Sequence, residues 1–144
     1  MNILLINHYA GSPAMGMEYR PYYMAKEWLK LGYKVTILAA SFSHLRSQQP
    51  YLTSSMQEEK IDGINYVWLK TPSYSGNGLG RFRNMLCFVA KLYKYLPQIA
   101  NMERPDVIIA SSTYPLDIFP AQHIAKCFDT KLIFEVHDLW PLSP

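Results

Sequence analysis

The first forty residues read as strand, loop, helix, strand, and that order leaves few folds open. Residues Asn2–Asn7 (N-I-L-L-I-N) set four consecutive apolar residues between asparagines, a pattern suited to a strand buried on both faces. A loop from His8 to Gly16 follows, then an amphipathic segment, then a second apolar run over Val35–Ala40. Two parallel strands joined by a crossover helix make a βαβ unit. In open α/β sheets, ligands bind outside the carboxyl ends of such strands. The loop from His8 to Gly16 is therefore the first place where chemistry is expected.

The rest of the chain continues the alternation. Pro21–Leu31 reads as a helix, with Pro21 in its first turn and Gly32 ending it. Pro21, Met24, Ala25, Trp28 and Leu31 fall at helical spacing and are expected to face the sheet. Ser41–Ser55 is polar, lacks periodicity and reads as a long loop. Asp62-Gly63 within Glu58–Lys70 signals a hairpin, and the alternation after it predicts a half-buried strand. A glycine-rich loop over Thr71–Gly80 leads to a helix over Arg81–Met102, which Pro97 is expected to kink or split. Val107–Ala110 is another strand, Asp117–Phe128 a helix, and Lys131–Val136 a last strand, expected to be central. The pattern predicts one α/β domain over residues 1–144, with a mostly parallel sheet, strand one central and helices on both faces.

No apolar run approaches the ~20 residues that a membrane span needs. The N-terminus lacks the basic n-region and long h-region of a signal peptide. Cys87 and Cys127 fall in predicted helices and are expected to be buried, reduced thiols, which predicts a cytoplasmic setting. No second Cys or His sits at ligand spacing, so no metal and no cofactor is expected. The formal charge is +3, yet Lys70–Arg104 carries six basic residues and one acid, +5 in all, which leaves −2 elsewhere. Such local excess points to an anionic partner.

Several residues can carry chemistry, each with a plainer alternative. Gly11 and Gly16 bracket the first loop at a spacing unlike G-x-G-x-x-G, so they either permit tight turns or let backbone N–H groups meet an anion. Glu18 and Arg20 flank the helix start and need no role beyond a solvated or intramolecular pair. Ser111, Ser112 and Thr113 follow a strand and serve as turn formers or ligand contacts. His137-Asp138 also follows a strand, where a histidine can be structural or can exchange a proton and bond a sugar hydroxyl. His8 holds the equivalent place after strand one, and there the structural reading is favoured. Arg81, Arg83, Lys91 and Lys94 form an ordinary solvated face or, with Phe82, Tyr93 and Tyr95, a surface for anionic membrane. Nucleic acid is not expected as a partner, because no recognised binding motif is present.

The opening N-I-L-L-I-N-H-Y, the stretch M-G-M-E-Y-R-P-Y-Y-M-A-K-E-W-L-K-L-G-Y-K-V-T-I-L, then R-P-D-V-I-I-A-S-S and F-E-V-H-D-L-W-P, taken in order, resemble the N-terminal domain of family 4 glycosyltransferases, most closely bacterial members that build surface polysaccharides. The resemblance implies a three-layer Rossmann-like domain, one half of a GT-B fold, that holds a polyprenyl-linked or saccharide acceptor. It implies that Gly11, Gly16 and Met17 approach the donor's diphosphate, that His137 with Asp138 acts at the donor sugar, and that His8, Glu18, Arg20, Ser111, Ser112 and Thr113 line the acceptor side or the cleft. In such enzymes the nucleotide sugar is gripped by a C-terminal domain. The sequence stops at Pro144, so that domain is expected to be absent and the chain inactive alone. The remaining alternative is a non-catalytic acceptor-binding or scaffolding module. Either way the expected place is the cytoplasm, either free or peripheral on the inner face of the membrane.

Overall fold

The computed structural model describes residues 1–17, 19–76 and 78–137; Glu18 and Asp138 lie outside the described residues. Its strands are β1 (Asn2–Ile6), β2 (Lys34–Ala40), β3 (Met56–Ile61), β4 (Ile64–Leu69), β5 (Val107–Ala110) and β6 (Lys131–Phe134). Its helices are α1 (Tyr19–Lys30), α2 (Leu79–Glu103) and α3 (Ile118–Phe128). The six strands form one sheet in the order β3-β4-β2-β1-β5-β6, parallel throughout except for the β3–β4 hairpin.

β1 lies between β2 and β5, so two crossovers leave it in opposite directions. Register aligns the strand ends: Ile6 is opposite Leu38 and Ala110, Ala40 is opposite Leu69, and Ala110 is opposite Phe134. The loops after β1, β2, β4, β5 and β6 therefore emerge along one edge, with a crevice where the direction of winding reverses between β1 and β5.

Alternation along each strand feeds two cores. Leu4, Ile6, Leu38, Val67 and Ile108 pack under Phe88, Leu92 and Ile124 of α2 and α3. Ile3, Leu5, Ile37, Tyr66, Trp68 and Ile109 pack under Tyr22 and Ala25 of α1. Full burial of one such side chain stabilises the fold by about 1.5–3 kcal/mol. The three-layer α/β architecture expected from the sequence is the one present.

Local details differ. β4 is covered on both faces, with Ile64, Tyr66, Val67, Trp68 and Leu69 all buried, because β2 and β3 flank it and helices cover it above and below. β6 is not central: among the described residues it is the outer strand, and Ile133 is 50% exposed. α2 runs through Pro97 without splitting; the proline is on its exposed side, where a freed carbonyl can meet water. Leu31 is 66% exposed, since α1 closes at Lys30 and the chain turns at Gly32, φ +80°. Tyr22 takes the buried place instead. Cys87 is half-buried and Cys127 exposed, both free, so the expectation of two buried thiols is corrected: Cys127 falls on the outer face of α3.

Candidate functional site at the strand ends

The crevice between β1 and β5 is closed at its floor by polar side chains. Asn7 donates from Nδ2 to the carbonyl of Ser111 at 2.6 Å and accepts from the Tyr9 N–H at 3.0 Å. Ser112 Oγ accepts from the His8 N–H at 3.0 Å, and the Ser112 N–H donates to Asp117 Oδ2 at 3.0 Å. Asp117 is fully buried, and burial pushes its carboxyl up to about 6 against the opposing hydrogen bonds from Ser112. Its Oδ1 has no partner.

His8 is fully buried too, boxed by Tyr9, Phe88 and Tyr114 at ring separations of 4.5, 4.7 and 5.5 Å. Its Nδ1 lies 2.5 Å from the Tyr114 hydroxyl. Burial lowers its pKa to about 3, so the ring is neutral and sits beneath the crevice.

Above this floor stands a second group. Ser111 Oγ donates to Glu135 Oε2 at 2.7 Å and lies 2.8 Å from His137 Nε2. His137 Nε2 is also 3.2 Å from Glu135 Oε2. Ser111 Oγ gives its one proton to Glu135, so Nε2 is the donor in its contact with Ser111, and Nδ1 makes no hydrogen bond among the described residues. The imidazole is 19% exposed and reachable. Glu135 Oε1 pairs with Arg20 Nη2 of α1, which ties the helix layer to the end of β6. The structure thus brings Arg20, Ser111 and His137 together through Glu135, a residue the sequence reading missed. The available signal was spacing: Glu135 and His137 are two apart in an extended segment and share a side. Thr113 is half-buried.

The loop after β1 holds a 3-10 turn, Pro13–Met15, then Gly16 at φ +102°. A Cβ on Gly16 would stand 2.5 Å from Ser47 Oγ, so the left-handed conformation and the close approach both require glycine. A Cβ on Gly11 would meet Arg46 Cδ at 3.0 Å. Gly16 pairs with Arg46 in an isolated bridge, Met15 O accepts from the Ser47 N–H at 2.9 Å, and the Tyr66 hydroxyl donates to Gly11 O at 2.7 Å. Gly11 and Gly16 therefore rest on the loop after β2, while Met17 is exposed. Arg46 was also missed. It is the one Lys, Arg, Asp or Glu within Ser41–Ser55, a signal the sequence does carry.

The basic residues divide. Arg81, in the first turn of α2, lies 5.7 Å over the Tyr9 ring and donates to its hydroxyl at 3.3 Å, on the site side. Lys91 donates to Ser55 O at 3.4 Å. Arg83 is exposed and the Lys94 ammonium lies 5.1 Å over Tyr95. Beside them Leu79, Phe82, Leu86 and Tyr93 form one exposed apolar stripe along α2, Leu79 being 87% exposed. Among the described residues no group of three or more His, Cys, Asp or Glu is arranged to hold a metal, and no helix is long and apolar enough to cross a membrane.

A mostly parallel sheet between helix layers, with a polar crevice at its strand ends, defines a Rossmann-like domain. The glycosyl transferase 4-like domain matches residues 15–144, and the chain belongs to that family. Two solved structures of the C-terminal domain of a hydrogenase from Pyrococcus furiosus share the fold. They are 18% and 17% identical, with TM-scores of 0.59 and 0.61, and the match covers 94% and 93% of this chain and 90% of each of theirs. No curated protein matches the chain.

Proposed function

We propose that this domain is the acceptor-side half of a retaining glycosyltransferase that moves a sugar from a nucleotide-sugar to a lipid-linked or polysaccharide acceptor, in bacterial surface-polysaccharide synthesis. The observation that carries the reading is the Ser111–Glu135–His137 group, with Nδ1 of His137 unbonded among the described residues, on the same edge as the Gly11–Gly16 turn.

In the transfer, the bond between the sugar's anomeric carbon and the diphosphate breaks, and its electron pair leaves with the nucleoside diphosphate. A bond from the acceptor hydroxyl oxygen to that carbon forms on the same face, and the hydroxyl proton passes to a departing phosphate oxygen. His137 bonds a hydroxyl of the donor sugar and holds it in line. Backbone N–H groups of the turn stabilise charge on the diphosphate. Binding energy from the nucleotide, gripped outside these residues, positions the donor, so the 144 residues by themselves transfer no sugar. The stripe of Leu79, Phe82, Leu86 and Tyr93 with Arg83 and Lys94 rests on an anionic membrane and brings a polyprenyl-linked acceptor to the crevice.

The test is turnover in an enzyme that joins this domain to a nucleotide-binding half. His137→Ala is expected to lower it by roughly 10²-fold or more. Unchanged turnover removes His137 from the reaction.

A further inference from the structure

We propose that Phe42, His44 and Tyr74 form a stacking platform for a neutral sugar ring of the acceptor. The proposal deepens the glycosyl-transfer reading, on which it rests for the role of the bound sugar, and it makes the acceptor one that already carries a sugar.

The three rings come from two loops. Phe42 and His44 follow β2 and Tyr74 follows β4, adjacent strands whose ends align. The Tyr74 ring meets Phe42 edge-on at 5.1 Å between centroids and lies 5.8 Å from His44. His44 Nδ1 lies 2.7 Å from the Tyr74 hydroxyl, which ties the two loops together. The buried Tyr9 ring meets His44 edge-on at 5.9 Å and supports the group from the loop after β1. His44 is exposed, and Phe42 and Tyr74 are half-buried. Aromatic rings gain most from full burial, so a braced cluster left partly in water leaves ring surface for a ligand.

The chemistry around the rings selects that ligand. Within Ser41–Ser55 and Thr71–Gly80 the one charged residue is Arg46, and it is buried. Burial, and then the charge of Arg81, lower the His44 pKa from its ordinary 6.5, so the ring is uncharged at neutral pH. Its Nε2 makes no hydrogen bond among the described residues, and neither do the exposed hydroxyls of Ser73 and Ser75, on either side of Tyr74 in the chain. Ring surface with uncharged hydrogen-bonding groups nearby suits a ligand that is apolar on its face and polar at its edge. A pyranose has that form: C–H groups on the face and hydroxyls at the rim. A prenyl chain would leave the polar groups unmet, and a phosphate would find no exposed cation in these two loops.

The platform stands on the β2–β4 side of β1, and the Ser111–Glu135–His137 group stands on the β5–β6 side of the same edge. The ends of β2 and β5 are two strand spacings apart, about 10 Å, which leaves room for an acceptor ring beside the donor sugar. An acceptor recognised by a ring must receive that ring first, so an earlier sugar-transfer reaction supplies this substrate.

The alternative is that the three rings only pack two loops together. Saturation-transfer NMR and titration of the 144-residue chain with the methyl glycosides of glucose, galactose and N-acetylglucosamine separate the two. At least one glycoside is expected to bind, with saturation strongest on the C–H protons of one ring face. Tyr74→Ala is expected to weaken binding roughly tenfold, the scale of losing one stacked ring, and Tyr74→Phe to keep most of it. Phe42→Leu, which removes a ring and leaves the Tyr74–His44 contact in place, is expected to weaken binding too, and a thermal melt of each variant checks that it is folded. Tyr93→Ala, an exposed ring on α2, is expected to bind as wild type does. Failure of all three glycosides to bind, or equal binding to wild type, Tyr74→Ala and Phe42→Leu, overturns the proposal. Uridine or geranyl phosphate that binds in a Tyr74-dependent way where no glycoside does also overturns it. None of these readouts uses sugar transfer, so failure here and failure of the transfer reading are distinguishable.

Discussion

Ser111 Oγ stands 2.8 Å from His137 Nε2, so a hydroxyl at the end of β5 fixes an imidazole beyond the end of β6. The contact spans two strands and sets which ring nitrogen faces the ligand. Glu135, 2.7 Å from the same hydroxyl, completes the clamp. On the proposed function, Ser111 and Glu135 are positioning residues and His137 is the group that meets the sugar.

In a joined enzyme, Ser111→Ala and Glu135→Gln are therefore expected to lower kcat on the order of tenfold or more with little change in acceptor KM, because a misaligned imidazole weakens the reacting geometry and leaves ground-state binding alone. Ser111→Thr keeps the hydroxyl and is expected to restore most of the rate. A rise in KM at constant kcat would place Ser111 in acceptor binding instead.

Two buried groups give the domain opposing responses to acid. His8 has its pKa lowered to about 3 by burial, so its contribution to stability is present above its ordinary value of 6.5 and is lost as pH falls toward 3. Asp117 has its carboxyl raised to about 6 by burial, so its contribution is present below 3.8 and is lost as pH rises through 6. The melting temperature at pH 7 minus that at pH 4 is expected to fall, toward or below zero, in His8→Gln, where only the Asp117 response remains, and to rise in Asp117→Asn, where only the His8 response remains. Parallel pH curves for all three proteins would contradict both assignments.

The α2 stripe gives a binding expectation. Flotation with anionic vesicles is expected to carry the protein up, and Arg83→Glu with Lys94→Glu to release it, each basic residue near the surface adding on the order of 1 kcal/mol. Added salt is expected to weaken the association. Equal flotation with neutral and anionic lipid would remove this face from membrane contact.

The sheet was readable where a local pattern decides the outcome. Ile3–Ile6 is a short apolar run that suits burial on both faces, and Asp62-Gly63 supplies the two positive φ angles, 51° and 90°, that a tight hairpin needs. β4 misled because Ile64, Tyr66 and Trp68 alternate with residues that α2 also covers. β6 misled because its apolar residues look like those of an inner strand, yet strand order is a tertiary property. The site divides in the same way. His137 and Ser111 follow strands and could be found from position, and Glu135 from its two-residue offset. Arg46 and Asp117 owe their character to burial, which depends on loops meeting across the sheet and leaves little local trace.

The most direct measurement is calorimetric titration of the purified 144-residue chain with nucleotide sugars and, separately, with a polyprenyl-diphosphate-linked sugar, paired with a transfer assay. Binding of the lipid-linked acceptor, no micromolar donor binding and no transfer are the expected results. Micromolar affinity for a complete nucleotide sugar, or measurable turnover from these residues alone, would contradict the acceptor-side assignment.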